Sequence, residues 1–273
     1  MYTKIDGSQI KYEEYGKNKH RHLLFIHGLG ASSIVWRDIP EALSEYFHTI
    51  SVDLIGFGGS DKPKVDYTIT HFIKFIKNFL RKIGINDLDK ISIIGHSLGG
   101  YIATEYAIEN IKQIEKLVLI DTSGMLSSPT PLLEQYLNAA LEIDPFVRYN
   151  KLKKVFESLF ANPFLLLPII VDLFISVIEK PGAKHAFKSA FRNSTTASIE
   201  LDRLKKIKDI PSLIIWGDKD NLIPSRYANN FKQILSNSQF VMIPDAGHSP
   251  FVEKTAIVYQ KLLIFLLETK NGL

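Results

Sequence analysis

A serine in this chain stands in a setting that would make its hydroxyl a nucleophile. Ser97 lies in the segment GHSLGG at residues 95–100, directly after the apolar run at residues 91–94. A serine on a sharp strand-to-helix turn needs small neighbours, here Gly95 and Gly99, because larger side chains would collide with adjacent elements. Such a turn also places the hydroxyl at the positive end of a helix. The pattern therefore predicts Ser97 as a catalytic nucleophile.

A nucleophilic serine needs a general base, and His248 is the best candidate for that role. It lies in the segment DAGH at residues 245–248, after the last predicted strand, where its ring could reach Ser97 from another part of a sheet. Histidine titrates near neutral pH, which suits it to proton transfer. The alternative is a turn histidine bonded to the backbone. His96, beside the serine, is expected to point away from the pocket.

The base in turn needs an acid that orients it, and three aspartates compete for that role. Asp220, in the segment GDKDNLIP at residues 217–224, is the first choice because it fits the chain order serine, acid, histidine. Asp121 ends the strand that follows Ser97 and is a competitor. Asp218 stands immediately after a strand and could simply cap the turn.

Backbone N–H groups are the predicted donors to a developing oxyanion. The N–H of Leu98 directly follows the nucleophile, and the second donor is predicted to be Leu29 in the segment HGLG at residues 27–30. This turn lacks the third glycine of a dinucleotide-binding fingerprint, and no Walker pattern occurs in the sequence. Phosphate binding is therefore disfavoured.

The elements that must position these residues alternate between strand and helix. Apolar runs predict strands at residues 11–15, 22–27, 47–53, 91–94, 116–121, 211–217 and 239–243, and helical spacing is clear at residues 69–83 and 251–267. Several strands are apolar on both faces, which predicts an α/β fold with a mostly parallel, doubly wound sheet. Residues 124–205 break the alternation. They predict a helical cap inserted into a core formed by residues 1–123 and 206–273.

Composition excludes several other classes of protein. The 273 residues carry a net charge of +4 without a basic stripe, so a nucleic-acid partner is not expected. The absence of cysteine excludes disulfides and thiol nucleophiles. No signal peptide is recognised, and the apolar stretch at 164–178 is short and interrupted by Pro168 and Asp172. We expect a cytoplasmic protein without stable membrane insertion.

Taken together, the motifs resemble those of the α/β-hydrolase superfamily nearly from end to end. The segments at residues 27–30, 53–63, 95–100, 217–224 and 247–253 stand in the family's order. The resemblance implies the α/β-hydrolase fold and a Ser97–His248–Asp220 triad that works without a cofactor or metal. Serine at the nucleophile position, where haloalkane dehalogenases and epoxide hydrolases have aspartate, favours a carboxylesterase- or lipase-like enzyme.

Substrate choice is expected to lie in the apolar cap and in nearby aromatic residues. Trp36, Phe57 and Phe251 are predicted to line a pocket for a small, mainly apolar ester. One alternative is a C–C bond hydrolase of ring-cleavage products, which would need Arg148 or Arg192 to face the pocket. Others are an interfacial lipase with residues 164–178 as its lid, and a non-catalytic ligand-binding protein of the same fold.

Overall fold

Eight strands form a single sheet in the computed structural model, which describes residues 1–165 and 168–268. The strands are β1 (Tyr2–Ile5), β2 (Ser8–Tyr15), β3 (His22–Ile26), β4 (His48–Val52), β5 (Ile91–His96), β6 (Ile114–Ile120), β7 (Ser212–Gly217) and β8 (Ser238–Ile243). Their order in the sheet is β1-β2-β4-β3-β5-β6-β7-β8. Strand β2 pairs antiparallel with both of its neighbours, β1 and β4, and the other neighbouring pairs are parallel. The predicted mostly parallel sheet is confirmed, and β1 is an edge strand that the prediction missed.

Helices cover the sheet on each side. They are α1 (Ile39–Leu43), α2 (Ile69–Lys82), α3 (Leu98–Glu109), α4 (Pro131–Leu141), α5 (Pro145–Leu159), α6 (Pro168–Ile178), α7 (Ala183–Thr195), α8 (Leu201–Leu204), α9 (Ala228–Ile234), α10 (Pro250–Glu253) and α11 (Thr255–Leu267). Short 3-10 turns lie between some of them. Helix α2 begins at a Thr68 cap whose side chain accepts a hydrogen bond from the N–H of His71.

Alternate residues of the parallel strands face two separate cores. In β3, Leu24 and Ile26 belong to the core shared with α2 and α3, while Leu23 and Phe25 belong to the core shared with α1 and α11. A strand buried on both faces must be apolar at successive positions. This requirement explains the continuous apolar runs in the sequence.

The segment between β6 and β7 carries helices α4 to α8, and it lies against the core that contains α2 and α3. An aromatic cluster of Tyr136, Phe156, Phe174 and Phe187 joins α4, α5, α6 and α7, with ring centroids 5.0 to 5.9 Å apart. Leu166 and Leu167 of the apolar stretch lie outside the described residues. Across the described ranges, no helix has the length and apolar character needed to cross a membrane.

Candidate active site

Ser97 occupies a strained turn between the end of β5 and the start of α3. Its backbone has φ 53° and ψ −120°, a conformation rarely adopted by residues other than glycine. A β-carbon on Gly99 would lie 2.1 Å from the carbonyl oxygen of Ile26, and one on Gly95 would lie 2.4 Å from the carbonyl oxygen of Gly99. Small residues are therefore required on both sides of Ser97, because helix and strand approach so closely there.

Hydrogen bonds tie this turn to the neighbouring strand. The N–H of Ser97 donates to the carbonyl of Ile120 at 3.1 Å, and the carbonyl of Ser97 accepts from the N–H of Ser123 at 3.1 Å. It also accepts from the N–H groups of Gly100 and Tyr101, which begin the helix. The strained conformation persists because contacts on both sides of the turn determine it.

His248 and Asp220 form a buried pair at the same edge of the sheet. The Nδ1 of His248 lies 2.8 Å from Oδ2 of Asp220, and the two residues are 3% and 5% exposed. The other oxygen of Asp220 accepts hydrogen bonds from the N–H groups of Leu222 and Ile223, at 2.8 and 2.9 Å. A donor at Nδ1 leaves Nε2 of the neutral ring as a proton acceptor.

The histidine loop rests directly on the residue that precedes the serine. His96 Nε2 donates to the carbonyl of His248 at 2.8 Å, and the two ring centroids are 4.8 Å apart. Burial and the neighbouring His248 ring hold the pKa of His96 well below its usual range, so His96 is neutral. This contact was not predicted from the sequence. The only feature of the sequence that pointed to a role for His96 was its position beside Ser97.

The turn that follows β3 is held in one orientation by His27. Its Nδ1 donates to the carbonyl of Gly28 at 2.8 Å, and its Nε2 accepts from the N–H of Leu54 at 3.0 Å. The N–H of Ala31 donates to the same Gly28 carbonyl. Because the C=O and N–H of a trans peptide point in opposite directions, fixing the Gly28 carbonyl also fixes the N–H of Leu29. Burial lowers the pKa of His27, which keeps the ring neutral for this role.

This turn lies against the serine. A β-carbon on Gly28 would lie 3.1 Å from the Cβ of Ser97. Within residues 1–165 and 168–268, the N–H groups of Leu29 and Leu98 donate to neither a backbone nor a side-chain acceptor. Two N–H groups without an internal acceptor therefore flank Ser97, on the turn after β3 and at the start of α3.

The loop after β4 supports the turn from its far side. Asp53 is fully buried, and its two carboxylate oxygens accept from the N–H groups of Ser33 and Gly59, at 2.6 and 2.7 Å. Phe57 packs edge-on against His27, with ring centroids 6.1 Å apart. The segment at residues 53–63 thus buttresses the turn that carries Leu29.

The three aromatic residues predicted to line the pocket are buried in the cores. Trp36 and Phe251 pack against each other with ring centroids 4.6 Å apart, and each also contacts His96. Phe57 packs against Tyr67 and His27. All three lie next to elements of the site, and their contact with a substrate stays a prediction.

Cap residues contact two loops of the site. The Tyr136 hydroxyl donates to the carbonyl of Leu29 at 3.4 Å, and a β-carbon on Gly30 would lie within 3 Å of Tyr136, Phe174 and Phe187. On the histidine side, the N–H of His248 donates to the carbonyl of Leu159 at 2.7 Å. Ser97 is only 7% exposed beneath this cover.

Glu253 also connects the histidine loop to the cap. Its carboxylate accepts from the N–H of Gly247 at 2.7 Å and from the N–H of Ala161 at 2.8 Å. Burial raises the pKa of Glu253. From the sequence, Glu253 was expected only as part of the segment at residues 247–253, without a role.

The remaining acidic candidates do not contact His248 by a hydrogen bond. Asp218 Oδ1 accepts from the N–H of Ala246 at 3.3 Å and so holds the turn. Asp121 Oδ1 accepts from the N–H of Gly217 at 2.9 Å. A carboxylate oxygen of Asp121, a carboxylate oxygen of Asp220 and a ring nitrogen of His248 lie within 4.8 Å of one another. Of the three residues, Asp220 is the one whose carboxylate is hydrogen-bonded to the His248 ring.

Neither arginine considered for a carboxylate-binding role is available to the site. Arg148 is buried within the cap, where it pairs with Glu179 and donates to the carbonyl of Glu142. Arg192 is exposed on α7. The alternative that requires a pocket arginine therefore loses its two candidates.

Comparison with known proteins gives the family. The sequence model of the alpha/beta hydrolase family matches residues 23–260, so the chain belongs to that family. Lipase 1 of Psychrobacter immobilis is 31% identical over 256 residues, which cover 92% of this chain and 78% of the lipase.

Two solved structures share the fold. The meta-cleavage product hydrolase CumD from Pseudomonas fluorescens IP01 matches with a TM-score of 0.82 at 21% identity, over 95% of this chain and 94% of that one. The esterase EaEST from Exiguobacterium antarcticum matches with a TM-score of 0.81 at 20% identity, over 97% of each chain. At these identities the likeness concerns the fold alone.

Proposed function

We propose that this hydrolase cleaves carboxylic esters of small, mainly apolar substrates through an acyl-enzyme on Ser97. The observation that carries the proposal is the buried His248–Asp220 pair, held by His96 beside a serine in the strained turn of a nucleophile. A nucleophile, a base and an orienting acid in this arrangement are the parts that acyl transfer requires.

In the proposed reaction, Oγ of Ser97 attacks the substrate carbonyl while Nε2 of His248 takes the serine proton. The negative oxygen of the tetrahedral intermediate accepts hydrogen bonds from the N–H groups of Leu29 and Leu98. Protonated His248 then donates its proton to the leaving alcohol, and the acyl group stays on Ser97. Water attacks the acyl-enzyme with His248 again as base, releasing the acid and restoring Ser97.

The cap supports an apolar, uncharged substrate. Its side chains nearest the Leu29 turn are Tyr136, Phe174 and Phe187, and the buried Arg148 is paired with Glu179. Aromatic walls favour hydrocarbon groups, whereas an anionic substrate would need a cation to replace its lost hydration. The similarity to Lipase 1 points to the same class of bond.

A chain-length series of nitrophenyl esters tests the proposal. The wild-type protein should hydrolyse one range of acyl lengths with saturation kinetics, and Ser97→Ala should reduce kcat by about a million-fold, as for other serine triads. The matched control is Ser8→Ala, at the start of β2. Hydrolysis by Ser97→Ala at the wild-type rate would rule out the mechanism. Absence of turnover by the wild type across the series would favour the ligand-binding alternative.

A lipase acting at a lipid surface is the second candidate. Two observations favour it: the identity to Lipase 1, and apolar cap residues open to solvent, among them Phe164 at 95% exposure. Faster hydrolysis of emulsified long-chain glycerides than of soluble short esters would decide for this candidate. The reverse preference would decide for the small-ester hydrolase.

A further inference from the structure

A second buried aspartate, Asp121, lies beside the His248–Asp220 pair. Asp121 follows the last residue of β6 and has no exposed surface. Its backbone has φ 42°, an uncommon value for a residue with a side chain. Oδ1 accepts from the N–H of Gly217, whereas Oδ2 has no hydrogen-bond donor within the part of the chain that the structure describes.

The neighbours of Asp121 make an ionised carboxylate there unfavourable. A carboxylate oxygen of Asp121 lies within 4.8 Å of a carboxylate oxygen of Asp220 and of a ring nitrogen of His248. Two negative charges at this separation, shielded from water, repel strongly unless one carboxyl group holds a proton. Burial, followed by the charge of Asp220 and more weakly that of Glu253, raises the pKa of Asp121 well above its usual range.

The hydrogen bonds decide which of the two acids is protonated. Asp220 accepts from Leu222, Ile223 and His248, and each of these bonds needs a lone pair on its carboxylate. A carboxylate has about four such positions, so one acceptor position remains on Asp220. Asp121 has one bond from a backbone N–H and an oxygen with no donor. That oxygen of Asp121 can carry the proton and donate a hydrogen bond to Asp220.

We propose that Asp121 is a neutral carboxylic acid that donates a hydrogen bond to Asp220 and acts as a positioning residue for the acid of the site. The donated bond fills the last acceptor position of Asp220, which restrains rotation of the carboxylate and so fixes the ring of His248. The effect on turnover rests on the proposed function, while the protonation state of Asp121 does not.

Two variants separate this role from a general structural one. Asp121→Asn keeps the shape, is neutral at every pH, offers an amide donor to Asp220 and keeps an acceptor for the N–H of Gly217. Asp121→Leu keeps the number and branching of the side-chain heavy atoms but has neither donor nor acceptor. We expect Asp121→Asn to retain kcat within about three-fold, and Asp121→Leu to lose about ten-fold or more, the scale of one hydrogen bond to a charged group.

The pH profile is the readout that distinguishes a neutral from an ionised Asp121. If Asp121 is already neutral, Asp121→Asn leaves the acid limb of kcat/KM where it is in the wild type. If Asp121 were ionised, the substitution would remove a negative charge beside His248 and move that limb to lower pH. A shift of about half a pH unit or more would overturn the proposal.

Infrared spectroscopy tests the proton without using activity. The wild-type spectrum at pH 7 minus that of Asp121→Asn should contain the C=O band of a protonated carboxylic acid, and absence of the band would overturn the proposal. Wild type should also lose stability relative to Asp121→Asn as pH rises above the usual aspartate range, since the unfolded state releases a proton that the folded state keeps. If no ester is hydrolysed, the proposed function fails while these two measurements still decide the state of Asp121.

Discussion

At the scale of single residues, most polar groups around Ser97 hold other groups in place. His27 fixes the peptide that precedes Leu29, His96 holds the carbonyl of His248, and Asp220 holds the His248 ring. Groups fixed in advance need no reorganisation when charge develops, which is the main source of electrostatic stabilisation in such sites. The proposed reaction therefore depends on residues that would not touch the substrate.

Replacing His27 by Phe tests this dependence at the proposed oxyanion turn. The variant keeps a ring of similar size but loses the bond to the Gly28 carbonyl, so the N–H of Leu29 is no longer fixed. Loss of a whole oxyanion donor costs about 3 kcal/mol of transition-state stabilisation, so a misaligned donor should lower kcat at least ten-fold with little change in KM.

The control for His27 lies on β3, the strand that ends just before His27. His22 is at the opposite end of β3, where its Nδ1 bonds to His48. His22→Phe should leave kcat unchanged, measured by ester hydrolysis on protein shown to be folded by circular dichroism. Equal kcat in His27→Phe and wild type would show that the turn does not need its histidine.

At the scale of secondary-structure elements, the site depends on how closely α3 approaches β3. The start of α3 crosses the end of β3 at Gly99, where backbone atoms leave no room for a side chain. This contact brings the start of α3, with the Leu98 N–H, close to the turn that carries Leu29.

Gly99→Ala should destabilise the fold strongly. Its methyl group would lie 2.1 Å from the Ile26 carbonyl oxygen, so strand and helix would have to separate. We expect a loss of about 3 kcal/mol or more in the free energy of unfolding, measured by urea denaturation. Gly84→Ala is the control because a β-carbon there meets no atom within 4 Å and carries only the cost of φ +92°, about 1 to 2 kcal/mol. Equal losses in the two variants would contradict the packing argument.

Local patterns predicted the elements near the site well, because each element carried its own signal. The strand before Ser97 is apolar at successive positions and the turn has its glycines, so β5 begins at Ile91 as predicted and α3 begins directly after Ser97. Strand β1 was missed because Tyr2–Ile5 alternates exposed and buried residues at a sheet edge, without an apolar run.

The pairing of His248 with Asp220 was expected from the family resemblance, but two other contacts between distant segments were not predicted. His96 bonds to the backbone carbonyl of His248 across 152 positions of the chain. Local spacing carries no information on such a pairing, because it depends on how β8 and its loop pack beside β7. The same reason explains why Glu253 had no predicted role.

At the scale of the whole molecule, buried neutral histidines couple stability to pH. Burial lowers the pKa of His22, His27, His71 and His96. In the unfolded chain these rings take up protons below about pH 6.5, whereas the folded protein resists protonation. Their stabilising contribution is therefore complete above pH 6.5 and is lost as pH falls.

His96→Asn isolates one of these contributions. The asparagine stays neutral, so wild type should lose stability relative to the variant as pH falls below 6.5, by up to about 1.4 kcal/mol per pH unit for one proton. Urea denaturation at pH 8 and pH 5.5 measures the difference in the free energy of unfolding between wild type and variant. The control is the same substitution at an exposed histidine, His20→Asn. A difference between wild type and His96→Asn that does not change with pH would mean that His96 titrates with the same pKa in the folded and unfolded protein, which would contradict the lowered pKa.

Covalent labelling by a fluorophosphonate tests the central claim most directly, because the reagent phosphonylates an activated serine and needs no knowledge of the natural substrate. Mass spectrometry of the wild-type protein should show one adduct, on the peptide that contains Ser97, with loss of esterase activity in proportion to labelling. Ser97→Ala should take up no label, and His248→Ala should label far more slowly because its serine lacks a base. Labelling on another residue, or equal labelling of wild type and Ser97→Ala, would contradict the assignment of Ser97 as the nucleophile.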